Sequence, residues 1–145
     1  MSQPSDSEQL NSYGSCQCGA VRYRLKGAPL GTNYCHCRQC RKASGTAFAT
    51  NAGYKVESFT ILQGKDTLRA FESSPGKTRS FCGNCGSPIY SHSKASPDVL
   101  YVRIGTIDND EDLHPDVHIH AASKAPWYEI LDELPVKQAE EGLWF

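Results

Sequence analysis

Apolar and polar positions alternate with a period of two over much of this chain, and the three-to-four spacing of an amphipathic helix is scarce. In the stretch AVRYRLKG, Val21, Tyr23 and Leu25 alternate with Arg22, Arg24 and Lys26, which predicts a strand with one face in the core and one in water. SFTILQG, TLRAFES, KTRSFC, PIYSHS, VLYVRIGT and VHIHAA predict further short strands. Turn residues separate them at Gly64-Lys65-Asp66, Ser74-Pro75-Gly76 and Asp108-Asn109-Asp110. The pattern is that of an all-β, antiparallel protein without internal repeats. Two segments, RQCRKASG and PWYEILDEL, predict short helical turns, and Trp127 in the second is expected to anchor in the core. The first dozen residues are polar and expected to fray. The closing KQAEEGLWF reads as a tail whose Trp144 and Phe145 need an apolar surface.

Length and charge narrow the class. A chain of 145 residues fits one domain and buries roughly 68–70% of its unfolded surface. With 39% apolar residues and a net charge of −1, nothing suggests bulk attraction to nucleic acid or to an anionic membrane, so neither is expected as a partner. No apolar run approaches the length needed to cross a bilayer. The opening MSQPSDSEQL has neither a basic start nor an apolar stretch, so a reducing, cytoplasmic setting is expected. The sequence assigns no oligomeric state.

Cysteine changes the picture most. Seven thiols cannot be exhausted by disulfides, and they fall into three clusters: Cys16 and Cys18 in SCQCG, Cys35, Cys37 and Cys40 in NYCHCRQCRKASG, and Cys82 and Cys85 in FCGNCGSP. Zinc–thiolate bonds of about 2.3 Å in a tetrahedron bring neighbouring sulfurs to about 4 Å. Gly19 after Cys18, and Gly83 and Gly86 around Cys85, allow the backbone to turn as such convergence requires. Two divisions suit the spacing. Cys16, Cys18, Cys82 and Cys85 can close a four-sulfur site and leave a local trio, or Cys37, Cys40, Cys82 and Cys85 can pair as a double CxxC. The first is preferred because three ligands within six residues need no long-range closure; spacing alone does not choose.

The ordered motifs GSCQCGAVRY, YCHCRQCRKASGTAF, RSFCGNCGSPIY and HIHAASKAPWYEILDELP resemble the glutathione-dependent formaldehyde-activating enzyme family, which also includes centromere protein V. The resemblance spans about residues 14–135, flanked by a polar N-terminal tail (1–13) and a C-terminal tail (136–145). It implies a β-tent fold of small coiled antiparallel sheets with two zinc ions. Cys16, Cys18, Cys82 and Cys85 map onto the structural zinc site, and Cys35, Cys37 and Cys40 onto the catalytic one. It further implies a small-molecule thiol such as glutathione and a small aldehyde as reaction partners, in a carbon–sulfur lyase reaction of the S-hydroxymethylglutathione synthase type. Three protein ligands with an open fourth position are the layout of catalytic zinc, whereas four mark a structural site.

Supporting residues follow from charge. Arg38, Arg41 and Lys42 sit where they could offset an anionic sulfur site and meet the carboxylates of glutathione, although the solvated face of a turn would read the same way. His118 and His120 alternate on one strand face and could cap the trio or shuttle protons. His36, between two ligands, is expected to point away from the metal. Ser44, Gly45 and Thr46 are expected to shape the exit from the ligand loop. Two alternatives stand beside the enzyme reading. One is a non-catalytic zinc-stabilised binding module whose trio is capped by a histidine or water; the other is a lyase acting on a different thiol adduct.

Overall fold

A computed structural model describes residues 11–109 and 112–139. Trp144, Phe145, Asp110 and all but the last residues of the polar N-terminal tail lie outside the described residues. The fold is mainly β, with two open sheets rather than a barrel. The smaller sheet has the order β1 (Ser12–Ser15), β2 (Arg22–Leu25), β5 (Phe59–Gln63). The larger runs β10 (His118–Ile119), β3 (Gly31–Cys35), β4 (Ala49–Lys55), β9 (Val99–Arg103), β8 (Pro88–Ser93), β7 (Lys77–Cys82), β6 (Leu68–Ser74). Among the described residues every pairing between strands is antiparallel except β10 on β3, which is parallel. The chain reaches β10 only after the long segment that follows β9, and so arrives beside β3 in the same direction.

Alternation assigns two different faces to the large sheet. Ala52 and Tyr54 of β4, Ile89 of β8, and Leu100 and Val102 of β9 point into the main core, where they meet Val21, Tyr23 and Leu25 from the small sheet. The buried–exposed alternation of β2 therefore agrees with its sequence pattern. On the opposite face, registered pairing lines up Asn33 with Asn51 and Arg103, and Cys35 with Ala49. That face is buried but polar, and it carries the three-cysteine cluster.

One expected helix forms and the other does not. Helix α1 (Arg38–Ser44) begins at Cys37, whose sulfur accepts the Cys40 amide, and ends at Gly45 in the left-handed region with its N–H on the Arg41 carbonyl. The segment 126–134 is irregular instead. The Asp132 carboxylate is engaged by His118 and by its own Leu134 amide at 3.0 Å, Pro135 follows, and Leu131 is 81% exposed, so a helix would have no apolar seat here. Trp127 is likewise 69% exposed and not a core anchor; the core was already filled by the strand residues. Beyond the segment, Val136 bridges His118, and the Lys137 and Gln138 backbones bond residues 118–122.

Gly64 shows how tightly the hairpin after β5 packs on the first cysteine loop. Its φ is +85°, and a Cβ there would lie 2.1 Å from the Ala20 carbonyl oxygen. Gly27 has φ +81° with nothing within 4 Å. Gly27→Ala should therefore cost roughly 1–2 kcal/mol, for left-handed strain alone. Gly64→Ala should cost at least about 2 kcal/mol more, because backbone must move. Equal unfolding free energies for the two variants in urea titrations would contradict this account.

Candidate metal centres

The loop after β1 and the turn after β7 bring four thiols together. Cys16, Cys18, Cys82 and Cys85 have sulfurs all within 4.8 Å of one another. Cys16 and Cys18 sulfurs are 3.6 Å apart and Cys18 and Cys82 sulfurs 3.9 Å, far too long for a disulfide and close to the edge of a metal–sulfur tetrahedron. Amide groups point at these sulfurs. Val21 N–H donates to Cys16 at 3.2 Å, Asn84 N–H and Cys85 N–H donate to Cys82 at 3.3 and 3.4 Å, and the Asn84 side-chain amide donates to Cys18 at 3.2 Å. Donors aimed at sulfur favour the thiolate. The Ser87 hydroxyl, 3.2 Å from Cys85, is the first cause holding that thiol down to about 5, with the Ser87 backbone adding. Cys16, deeper in the core, is pushed up by burial.

The second cluster is built by the end of β3 and the start of α1. Cys35, Cys37 and Cys40 also lie mutually within 4.8 Å, with Cys35 and Cys40 buried and no other described His, Asp, Glu or Cys in the group. Three sulfurs this close cannot all ionise alone. Cys37 and Cys40 push Cys35 up strongly, while hydrogen bonds from Cys35 and Cys37, helped by Arg103 and Arg79, hold Cys40 down. Such a donor set fits a thiophilic cation. The division into four and three is the one preferred from sequence.

Two buried arginines that sequence reasoning missed stand against the trio. Arg79 donates to the Cys40 sulfur at 3.6 Å, to Ser73 at 3.0 Å and to Gln39 at 3.4 Å. Arg103 donates to Asn51, whose amide donates to Asn33 at 3.0 Å. The trio opens into a small cavity of about 50 Å³, whose lining includes Asn51, Lys77, Ser91, Tyr101, Arg103 and His120. Strand alternation hinted at these positions, since Tyr101 and Arg103 share a face. Which face met the cysteines depended on pairing.

The other candidates divide. Arg38, Arg41 and Lys42 line a separate, open pocket of about 230 Å³ with Gly45, Thr46 and Trp127, and none of them lines the cavity of the trio. Arg41 also donates to the Ser123 carbonyl at 3.1 Å. His118 has both ring nitrogens engaged, by His36 at 2.8 Å and Asp132 at 2.9 Å, so it does not cap the sulfurs. His120 lines the cavity with a left-handed backbone, φ 54°, yet is outside the ligand group. His36 is buried against Phe48 and Tyr128, and burial, then His118, holds its pKa down to about 4. Ser44 bonds the Cys40 carbonyl at 2.7 Å and Thr46 at 2.9 Å, closing the helix exit.

The family model described as glutathione-dependent formaldehyde-activating enzyme matches residues 11–123. A Halomonas elongata protein provisionally named a glutathione-dependent formaldehyde-activating enzyme is 32% identical over 126 residues, covering 81% of this chain and 79% of that one. A crystal structure of a Rhodobacter sphaeroides protein superposes with a TM-score of 0.58 at 20% identity, covering 67% of this chain and 88% of that chain, a likeness of fold alone. With most of its length matched by the family model and 32% identity to the Halomonas elongata relative, the chain belongs to the glutathione-dependent formaldehyde-activating enzyme family.

Proposed function

We propose that this protein is a zinc-dependent carbon–sulfur lyase of the S-hydroxymethylglutathione synthase type, joining a thiol such as glutathione to formaldehyde or a related small aldehyde. The observation that carries the reading is the three-sulfur centre, one ligand short among the described residues and set against two buried guanidiniums. Cys16, Cys18, Cys82 and Cys85 would hold a structural zinc; Cys35, Cys37 and Cys40 would hold the second. A zinc ion at the trio would supply an open position at which an incoming thiol is ionised at neutral pH. Sulfur-rich tetrahedral sets suit zinc among the common divalent metals.

The chain's own groups then account for charge and proton. Three thiolates around a divalent ion leave one negative charge in excess, and an incoming thiolate adds another; Arg79 and Arg103 offset both. In the forward direction the carbon–sulfur bond forms, the carbonyl π bond breaks, and the proton lost by the thiol ends on oxygen. Ser91, Tyr101 and His120 line the cavity and could hold the aldehyde oxygen or that proton. A cavity this small suits a one-carbon aldehyde, so most of a tripeptide would lie outside it. Arg38, Arg41 and Lys42, in the separate open pocket, are the cations suited to its carboxylates. Among the described residues no helix is long and apolar enough to cross a membrane, and none of the seven cysteines is in a disulfide. A reducing cytoplasm suits such a protein.

Metal content tests the two-site part. Elemental analysis should find about two zinc per chain, and Cys35, Cys37 and Cys40 changed together to serine should leave a folded protein with about one. Cys82→Ser, which unties segments held by a ligand pair 64 residues apart, should lower stability by at least about 3 kcal/mol. Cys40→Ser should cost less, since the trio closes only a local loop. Equal losses would make both centres architectural.

Cobalt substitution tests the reaction. Glutathione should change the ligand-field bands of the three-sulfur site, and S-methylglutathione, which cannot form a thiolate, should not. The loaded protein should accelerate exchange between formaldehyde and its glutathione adduct, seen by magnetization-transfer NMR, and Cys37→Ala should abolish the acceleration. Unchanged bands at millimolar glutathione would favour a capped, non-catalytic module.

A further inference from the structure

Behind the three-sulfur centre, two buried imidazoles and a carboxylate form a continuous hydrogen-bonded chain. Asp132 oxygens lie 2.9 and 3.1 Å from His118 Nε2, and His118 Nδ1 lies 2.8 Å from His36 Nε2. Both histidines are 0% exposed, whereas the Asp132 side chain is 39% exposed. The partly exposed end dictates the direction of every bond. With both rings neutral, an ionised carboxylate can only accept, so His118 carries its proton on Nε2, its Nδ1 accepts, and His36 donates from Nε2. His36 Nδ1 is left as a bare, buried nitrogen with no hydrogen-bond partner.

Simple packing would not call for this arrangement. Two apolar rings would fill the same space against Tyr34, Phe48 and Tyr128 without an orphaned nitrogen. What the chain does achieve is to grip His36 at both ends. Its amide bonds the Ile119 carbonyl at 3.0 Å in the parallel pairing of β10 with β3, while its ring bonds His118 from the same short strand. His36 separates Cys35 from Cys37, so fixing its ring and main chain fixes the torsions that aim two of the three sulfurs.

We propose that Asp132, acting through His118 and His36, is a positioning residue for the three-sulfur centre. It touches neither the sulfurs nor anything bound to them. Instead it holds one tautomer along the relay and so keeps the Cys35–Cys37 segment in its ligating shape, which ties the 125–135 segment to the centre. This rests on the reading that the trio holds a metal, and not on which thiol meets it.

The test uses the full-length, zinc-loaded protein and a chromophoric chelator, with the four-sulfur site as internal control. In Asp132→Ala, release from the trio should accelerate about 10–100-fold, the range expected when a partner behind the ligands is lost. Release from the four-sulfur site should not change. The Cys40→Ser protein identifies which kinetic phase belongs to the trio. Unchanged release from both sites, or equal acceleration of both, would overturn the proposal; the second result would mean general loosening. Ring nitrogen-15 shifts give an independent reading: both histidines should show the Nε2–H tautomer in the wild type, and Nδ1–H at either ring would contradict the relay. A wild-type trio that holds no metal would remove this inference and the proposed function together. Unchanged release from Asp132→Ala removes this one alone.

Discussion

The convergence of Cys16 and Cys18 with Cys82 and Cys85 is the constraint on which the rest of the structure depends. The two pairs come from the edge of the small sheet and from the turn between β7 and β8 of the large one. Cys16 and Cys82 also belong to the buried cluster that contains Val21, Tyr23, Ile89 and Val102. Closing the sulfur cluster and closing the main core are therefore the same event. Losing one of these thiols would therefore disturb the main core together with the cluster, as the proposed structural role requires.

With one face of the large sheet committed to that core, period-two alternation sends the intervening residues to the other face. Those residues are Asn33, Asn51, Ser91, Arg79 and Arg103, all buried. A buried guanidinium is costly unless paired and hydrogen-bonded. Here Arg79 has Ser73, Gln39 and the Cys40 sulfur as acceptors, and Arg103 has Asn51. The same charges that need anionic sulfur to be tolerated are the ones that help to hold the Cys40 thiol down. Each half of the site thus offsets the burial cost of the other.

The irregular segment after β10 has a comparable logic. A helix over 126–134 would use its backbone internally and turn Asp132 outward with the rest. Left irregular, the segment spends Asp132 on His118, accepts the Lys124 ammonium at the Tyr128 carbonyl, and lays Tyr128 against Phe48. Trp127 remains exposed beside Arg38, Arg41 and Lys42. One short stretch accordingly borders the open basic pocket on one side and the rear of the three-sulfur centre on the other.

What the sequence determined by itself was whatever is encoded over a few residues. Alternation in AVRYRLKG was enough for β2, and RQCRKASG was legible as the short helical turn that α1 is. Three sulfurs within six residues made the trio the preferred grouping, but the rival double CxxC of Cys37, Cys40, Cys82 and Cys85 stayed open until the strands were paired. β4 was not: ATNAGYK is buried on both faces, so its polar Asn51 and small alanines carry no alternation to read. PWYEILDEL misled for a related reason, because its helical spacing says nothing about whether an apolar surface exists to receive it. Only the tertiary structure decided that Arg79 and Arg103, far from the cysteines in sequence, would supply the cations at the trio, while the adjacent Arg38, Arg41 and Lys42 face another pocket. The reason is geometric. On a seven-residue helix neighbouring side chains point in different directions, whereas paired strands bring residues from distant segments into one buried row.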